Sequence, residues 1–183
     1  MNLTNKHHPK YEPEKWNQNV YLRKSHNCYS YALNLIYPKL INDCKKLLTN
    51  TKQRNCRKLF VKPGIYAGIQ YTRENQTGKK IEKLMLQDNP FMKKIKKNGK
   101  CPDGYYRIAL VFSSSGDGFH YYRQDNTGLW SHKDGWTKAT NKDKKGRLIK
   151  NIERADRGSY DQIIGYYIIP NNSNKKFMGY SNS

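Results

Sequence analysis

Apolar positions recur at helical spacing through the first half of the chain and alternate with polar ones through much of the second. After Cys28, Tyr31 and Leu35 and the pair Ala32 and Ile36 fall at helical spacing. They predict a buried helix over 27–36, with Ser25 as its N-cap. Pro38 interrupts that pattern, and a second, basic helix is expected over 39–48. Ile81, Leu84, Met85, Met92 and Ile95 predict a basic amphipathic helix over 79–97, broken near Pro90. Between these helices Phe60, Val61, Ile65, Tyr66, Ile69 and Tyr71 read as one or two strands around Pro63-Gly64. The rhythm then changes. Residues 105–112 form the clearest strand, and 119–123 return antiparallel after a polar turn. Residues 129–132 follow the turn Asp125-Asn-Thr-Gly128, and 163–169 close the set.

A cysteine-bearing helix, a helical region and an antiparallel meander, in that order, predict an α+β fold with helices packed on one side of an antiparallel sheet. Residues 1–25, polar with Pro9 and Pro13, read as an irregular arm. Residues 26–170 read as one domain of ordinary size carrying a basic insertion at 39–100, and 171–183 as a loose polar tail.

Charge changes the picture of what the molecule meets. Of 183 residues, 35 are Lys or Arg and 14 are Asp or Glu, a formal net charge of +21. Such a charge repels itself unless an anionic partner screens it, so nucleic acid, an anionic membrane surface or an acidic protein is expected alongside. Lys93, Lys94, Lys96, Lys97 and Lys100 form one basic cluster and residues 138–150 carry another. Tyr121, Tyr122, Trp130 and Trp136 supply rings that stack on bases. No base-reading motif accompanies them, so such binding rests on the nucleic-acid backbone and weakens steeply with salt. No segment reaches the ~20 apolar residues of a membrane span. The opening residues lack the apolar core of a secretory signal. A cytoplasmic setting is expected, a host cytoplasm or a virion included, with Cys28, Cys44, Cys56 and Cys101 as free thiols.

The candidate chemistry lies in three residues far apart in sequence: Cys28 in Ser-His-Asn-Cys-Tyr-Ser-Tyr-Ala, His120 in Asp-Gly-Phe-His-Tyr-Tyr-Arg, and His132 in Leu-Trp-Ser-His-Lys-Asp-Gly. Unpaired N–H groups at the start of a helix favour a thiolate, and an imidazole facing it acts as the base. The two histidines are twelve residues apart (132 − 120 = 12) across a turn, which puts them on adjacent antiparallel strands. One ring then orients the other. The Cys28 backbone N–H is the default oxyanion donor, with Tyr21 or Asn27 as helpers. The cysteines lack the closely spaced pairs of a zinc site, and Gly116-Asp-Gly118 is a hairpin turn and not a phosphate loop. No metal or cofactor is expected.

With these residues in place, the chain resembles the NlpC/P60 superfamily of papain-like cysteine peptidases and amidases, which includes the CHAP domains. Cys28-Tyr-Ser-Tyr-Ala32 is similar to the CHAP cysteine-helix motif. His120 matches the base and His132 the third member, while Pro63-Gly64 is similar to a Pro-Gly turn between helix and sheet. The resemblance covers 25–135 and implies a hydrolase of a peptide, isopeptide or amide bond with a Cys28–His120–His132 triad and a peptide or protein substrate. The chain departs from the family at Asn27, where NlpC/P60 members often carry Asp, at Tyr29 and Tyr31, and in the long gap from Cys28 to His120. A non-enzymatic basic module on the same fold is the competing expectation.

Overall fold

A six-stranded antiparallel sheet divides the molecule into two packed faces. This computed structural model describes residues 7–72, 76–116 and 118–172. The expected tail beyond 172 and the first six residues of the expected arm lie outside them. In chain order the elements are α1 (Pro13–Asn17), α2 (Val20–Ser25), α3 (Cys28–Ala32), α4 (Pro38–Asn50), 3-10 turns at Arg57–Leu59 and Ile65–Ala67, and α5 (Gly78–Asp88). Then follow β1 (Lys93–Ile95), β2 (Tyr105–Ser113), β3 (Gly118–Gln124), β4 (Trp130–Lys133), β5 (Ala139–Thr140) and β6 (Gln162–Pro170). The strands lie in the order β1-β6-β2-β3-β4-β5. The fold is α+β, as the pattern of apolar positions predicts.

On one face α3 and α5 cover the sheet. Cys28, Tyr29, Ala32, Leu33, Ile81 and Met85 pack with Ile108, Leu110, Tyr121 and Tyr167. The opposite face buries Ala109, Val111, Tyr122, Trp130 and Tyr166 under Ile149 and Ile152, which come from the irregular segment 141–160. The alternation of β2 and β3 thus feeds two cores instead of one core and a solvated face.

Four local expectations are corrected. The arm is not irregular where it is described, because Pro13 starts α1 and the Asn19 side chain caps α2 by accepting from the Tyr21 and Leu22 N–H groups. Trp16 then buries itself edge-on against Tyr31, with ring centroids 4.9 Å apart. The cap of α3 is Asn27, not Ser25, and the helix ends at Ala32 because Asn34 turns to φ +53°. Residues 60–71 form no strand. Gly64 at φ +97° starts a tight turn, and the Asp88 carboxylate accepts the N–H groups of Gly64, Tyr66 and Ala67, so a side chain takes the donors a ladder needs. The predicted helix over 79–97 stops at Asp88, before Pro90, and its last residues become β1, paired with β6. Residues 39–100 are therefore built into the fold, with Ile81 and Met85 in the main core and β1 on the sheet edge.

The thiol expectation is corrected as well. Cys44 and Cys56 form a disulfide joining α4 to the loop that follows it, and Cys28 and Cys101 are free.

Candidate active site

Cys28, His120 and Asp134 line one cavity of about 830 Å³. Three elements deliver them. Asn27 holds the start of α3 by accepting the Ser30 N–H at 3.1 Å, and its Nδ2 donates to the Val61 carbonyl at 2.7 Å. At the other end of α3, the fully buried Arg123 of β3 donates to the Tyr31 carbonyl and to Asn34 Oδ1, and it pairs with Asp125 at 3.0 Å. Lys133 of β4, also fully buried, donates to the carbonyls of Arg23 and His26 and to that of Gly135. One ammonium therefore ties the entry of α3 to the loop that carries Asp134.

The histidine pair comes from strand register. β3 pairs with β4 with Tyr122 opposite His132, so His120, two residues before Tyr122, faces the same side of the sheet. His120 Nε2 and His132 Nδ1 are 2.9 Å apart, and His132 Nε2 lies 3.0 Å from the Lys142 carbonyl. A carbonyl only accepts, so His132 carries its proton on Nε2 and accepts on Nδ1. His120 must then donate from Nε2, and its Nδ1 keeps a free lone pair. Tyr160 stacks on the His120 ring with centroids 5.1 Å apart, fixing its plane.

Protonation follows from burial. Burial pushes the Cys28 thiol up to about 12, with the Asp134 carboxylate adding to the rise; backbone hydrogen bonds from Tyr121 and Tyr29 and the Lys133 charge oppose it. Burial, then the neighbouring His132, lowers His120 to about 3. His132 is lowered too, chiefly by burial. At rest the thiol and both imidazoles are neutral, and Cys28 is not the thiolate expected from a helix N-terminus. One turn and a half of helix does not offset full burial. Asp134 is held below the usual carboxylate range: burial works against this, but the histidines and Lys144, bonded at 2.9 Å, prevail.

Of the two expected helpers, Asn27 is in the cavity lining and Tyr21 is not. Asn27 lines the cavity, but its amide is committed to Val61 and its oxygen to the α3 cap. Tyr21 sits on α2, away from the cavity lining. Lys93, Lys94, Lys96, Lys97 and Lys100 are exposed around β1 and also outside it; Lys94 pairs with Glu82 and Lys97 with Glu153. Asp134 and Lys133 were not singled out from sequence. A Ser-His-Lys-Asp-Gly stretch reads as a strand end running into a turn, and nothing in it signals that the lysine is buried. Among the described residues no group of three or more metal-binding side chains is present, and no helix is long and apolar enough to cross a membrane.

No family model matches the chain, and no solved structure matches it. It is 33% identical over 157 residues to insoluble matrix shell protein 1 of Ruditapes philippinarum, across 86% of this chain and 87% of that protein. Identity at this level, sustained over nearly the full length of both, means that the chain belongs to the family of insoluble matrix shell protein 1.

Proposed function

We propose that the protein is a cysteine hydrolase of peptide, isopeptide or amide bonds, with a papain-like site of the NlpC/P60 type. The observation that carries this reading is the hydrogen-bonded run from the Lys142 carbonyl through His132 to His120, which leaves His120 Nδ1 free to accept. β4 pairs with β3 only over 122–124, so that edge of β3 is open at His120, and His120 and Cys28, from the two faces of the sheet, line one cavity. Cys28 Sγ attacks the carbonyl carbon while its proton moves to His120 Nδ1. The imidazolium donates from Nε2 to His132, and the Asp134 carboxylate offsets its charge. His120 returns the proton to the leaving amine as the C–N bond breaks, leaving a thioester. Water, deprotonated by His120, then cleaves the thioester and restores the thiol. Because both partners rest neutral, the proton moves during attack and no ion pair is stored beforehand.

The test is the pH dependence of Cys28 alkylation by iodoacetamide, read by peptide mass so that Cys101 is counted separately. In wild type the rate is expected to stay level down to about pH 4, since His120 titrates near 3. His120→Ala should lower it by about a hundredfold, and Cys28→Ala should abolish that peptide's label with the fold intact. Equal Cys28 rates in wild type and His120→Ala overturn the reading.

A second reading is favoured by the charge of +21 and by the relative's name. In it the chain is a non-enzymatic basic module, on an unused site, bound to a polyanionic matrix or nucleic acid. It expects binding to a DNA oligomer or to polyaspartate that falls steeply with salt and ignores Cys28→Ala; no binding at low salt removes it. For either reading, the Cys44–Cys56 bridge and the shell-matrix relative support an oxidising compartment over a cytoplasm.

A further inference from the structure

Part of the cavity lining comes from one short segment: Gln53, Asn55, Arg57, Lys58, Phe60 and Lys62. That segment is anchored twice. Its Cys56 is bridged to Cys44 of α4, and its Val61 carbonyl accepts the Asn27 amide. Asn27 also caps α3, so one side chain sets both the start of the nucleophile's helix and the position of the basic wall.

Arg57, Lys58 and Lys62 reach the cavity on this framework, and among the described residues none of them is ion-paired. Cations elsewhere do find carboxylates: Lys39 holds Asp43 and Lys144 holds Asp134. Among the described residues of the lining Asp134 is the one acidic residue, and Lys144 already occupies it. Two of the three cations are also laid on rings of the same lining. The Arg57 guanidinium lies 5.8 Å from the Trp136 centroid and the Lys62 ammonium 5.0 Å from that of Tyr71. A charged head laid on a ring keeps its full charge for an anion on its other side.

We propose that this wall is a specificity subsite and that the substrate is an acidic peptide, with Asp or Glu side chains beside the bond that Cys28 attacks. The proposal rests on the cysteine-hydrolase reading. Three cations without an ion-pair partner among the described residues, on a wall next to a nucleophile, favour carboxylates over amides of the same shape and raise the encounter rate of acidic chains.

Two fluoromethyl ketones, acetyl-Glu-Glu-Ala and acetyl-Gln-Gln-Ala, differ almost only in charge and report through alkylation of Cys28. The acidic probe is expected to react about tenfold faster at low ionic strength, with the advantage shrinking as salt screens it. Arg57→Gln/Lys58→Gln/Lys62→Gln should erase the advantage, whereas Lys45→Gln/Lys46→Gln/Lys150→Gln, with the same change in net charge, should keep it. Equal rates for the two probes in wild type, or the same loss in both triple variants, overturn the subsite. If His120-dependent iodoacetamide labelling persists then, the hydrolase reading survives. If that labelling fails too, anisotropy of a fluorescein-labelled Glu-rich peptide on Cys28→Ala decides the subsite alone. Affinity lost only in the wall variant supports it, and equal affinity in both variants overturns it.

Discussion

Arg123 and the two histidines show how much single side chains carry. Arg123 is fully buried and holds Asp125, the end of α3 and the Tyr31 hydroxyl at once. Replacing it by Met leaves the Asp125 carboxylate buried without its partner, a loss expected at about 3–5 kcal/mol in urea denaturation. Lysine should not rescue it, because a point charge cannot span the fork of acceptors. For the histidines, nitrogen-15 spectra of imidazole-labelled protein should show His120 and His132 both protonated on Nε2; an Nδ1-protonated His120 contradicts the hydrogen-bond assignment. His132→Phe keeps a ring but removes the acceptor, and Cys28 alkylation should slow by about tenfold or more. At this scale the sequence was informative where spacing and backbone chemistry coincide, as in two histidines flanking a turn, but it misplaced the cap of α3, which is Asn27 and not Ser25. It was silent on Lys133, since a lysine between a strand and a turn ordinarily points to water. Burial lowers Lys133 to about 7, yet three accepting carbonyls call for all three ammonium protons, so the site is built for its charged form.

Among the elements, the segment between α4 and α5 departs furthest from its pattern. Its apolar residues alternate well enough to predict strands, but Asp88, contributed by α5, takes the backbone donors first. A side chain that arrives from 21 to 24 residues downstream leaves no local signal. α1 and α2 are hidden too, because they are too short to show a period; α1 rests on Pro13 and buried Trp16, and α2 on its Asn19 cap. The strands of the meander, by contrast, were legible because alternation and turn residues agree over 105–133. The Cys44–Cys56 bridge closes a loop of twelve residues. Its removal by Cys44→Ser/Cys56→Ser should cost up to about 3 kcal/mol and free the wall that carries Arg57 and Lys58. Faster proteolysis within 51–62, with α3 still protected, is the expected readout.

Taken whole, the molecule is sensitive to acid. Burial holds His8 and His26 neutral down to about 4 and His120 to about 3, and it lowers His132 as well. An unfolded chain protonates all four near 6.5, so between 6.5 and 4 the unfolded state binds more protons and stability rises with pH. His8, His26 and His120 each contribute on the order of 1.4 kcal/mol per pH unit across that window, and His132 adds in the same direction. Urea midpoints should therefore fall clearly from pH 7 to pH 5, and a flat profile would mean that the rings are hydrated. The +21 charge, which grows as carboxylates protonate, pushes the same way.

Strand order at this scale was beyond reach of the sequence, and it has a consequence for how the chain is made. β6 is last in sequence yet sits between β1 and β2, supplying the whole of β1's pairing and one full edge of β2. Until residue 170 has left the ribosome, β1 has no partner and the apolar run Tyr105–Ser113 presents an open edge. Folding of this sheet therefore waits until β6 has emerged, and any pause before that point lengthens the time in which two nascent chains can pair through that edge.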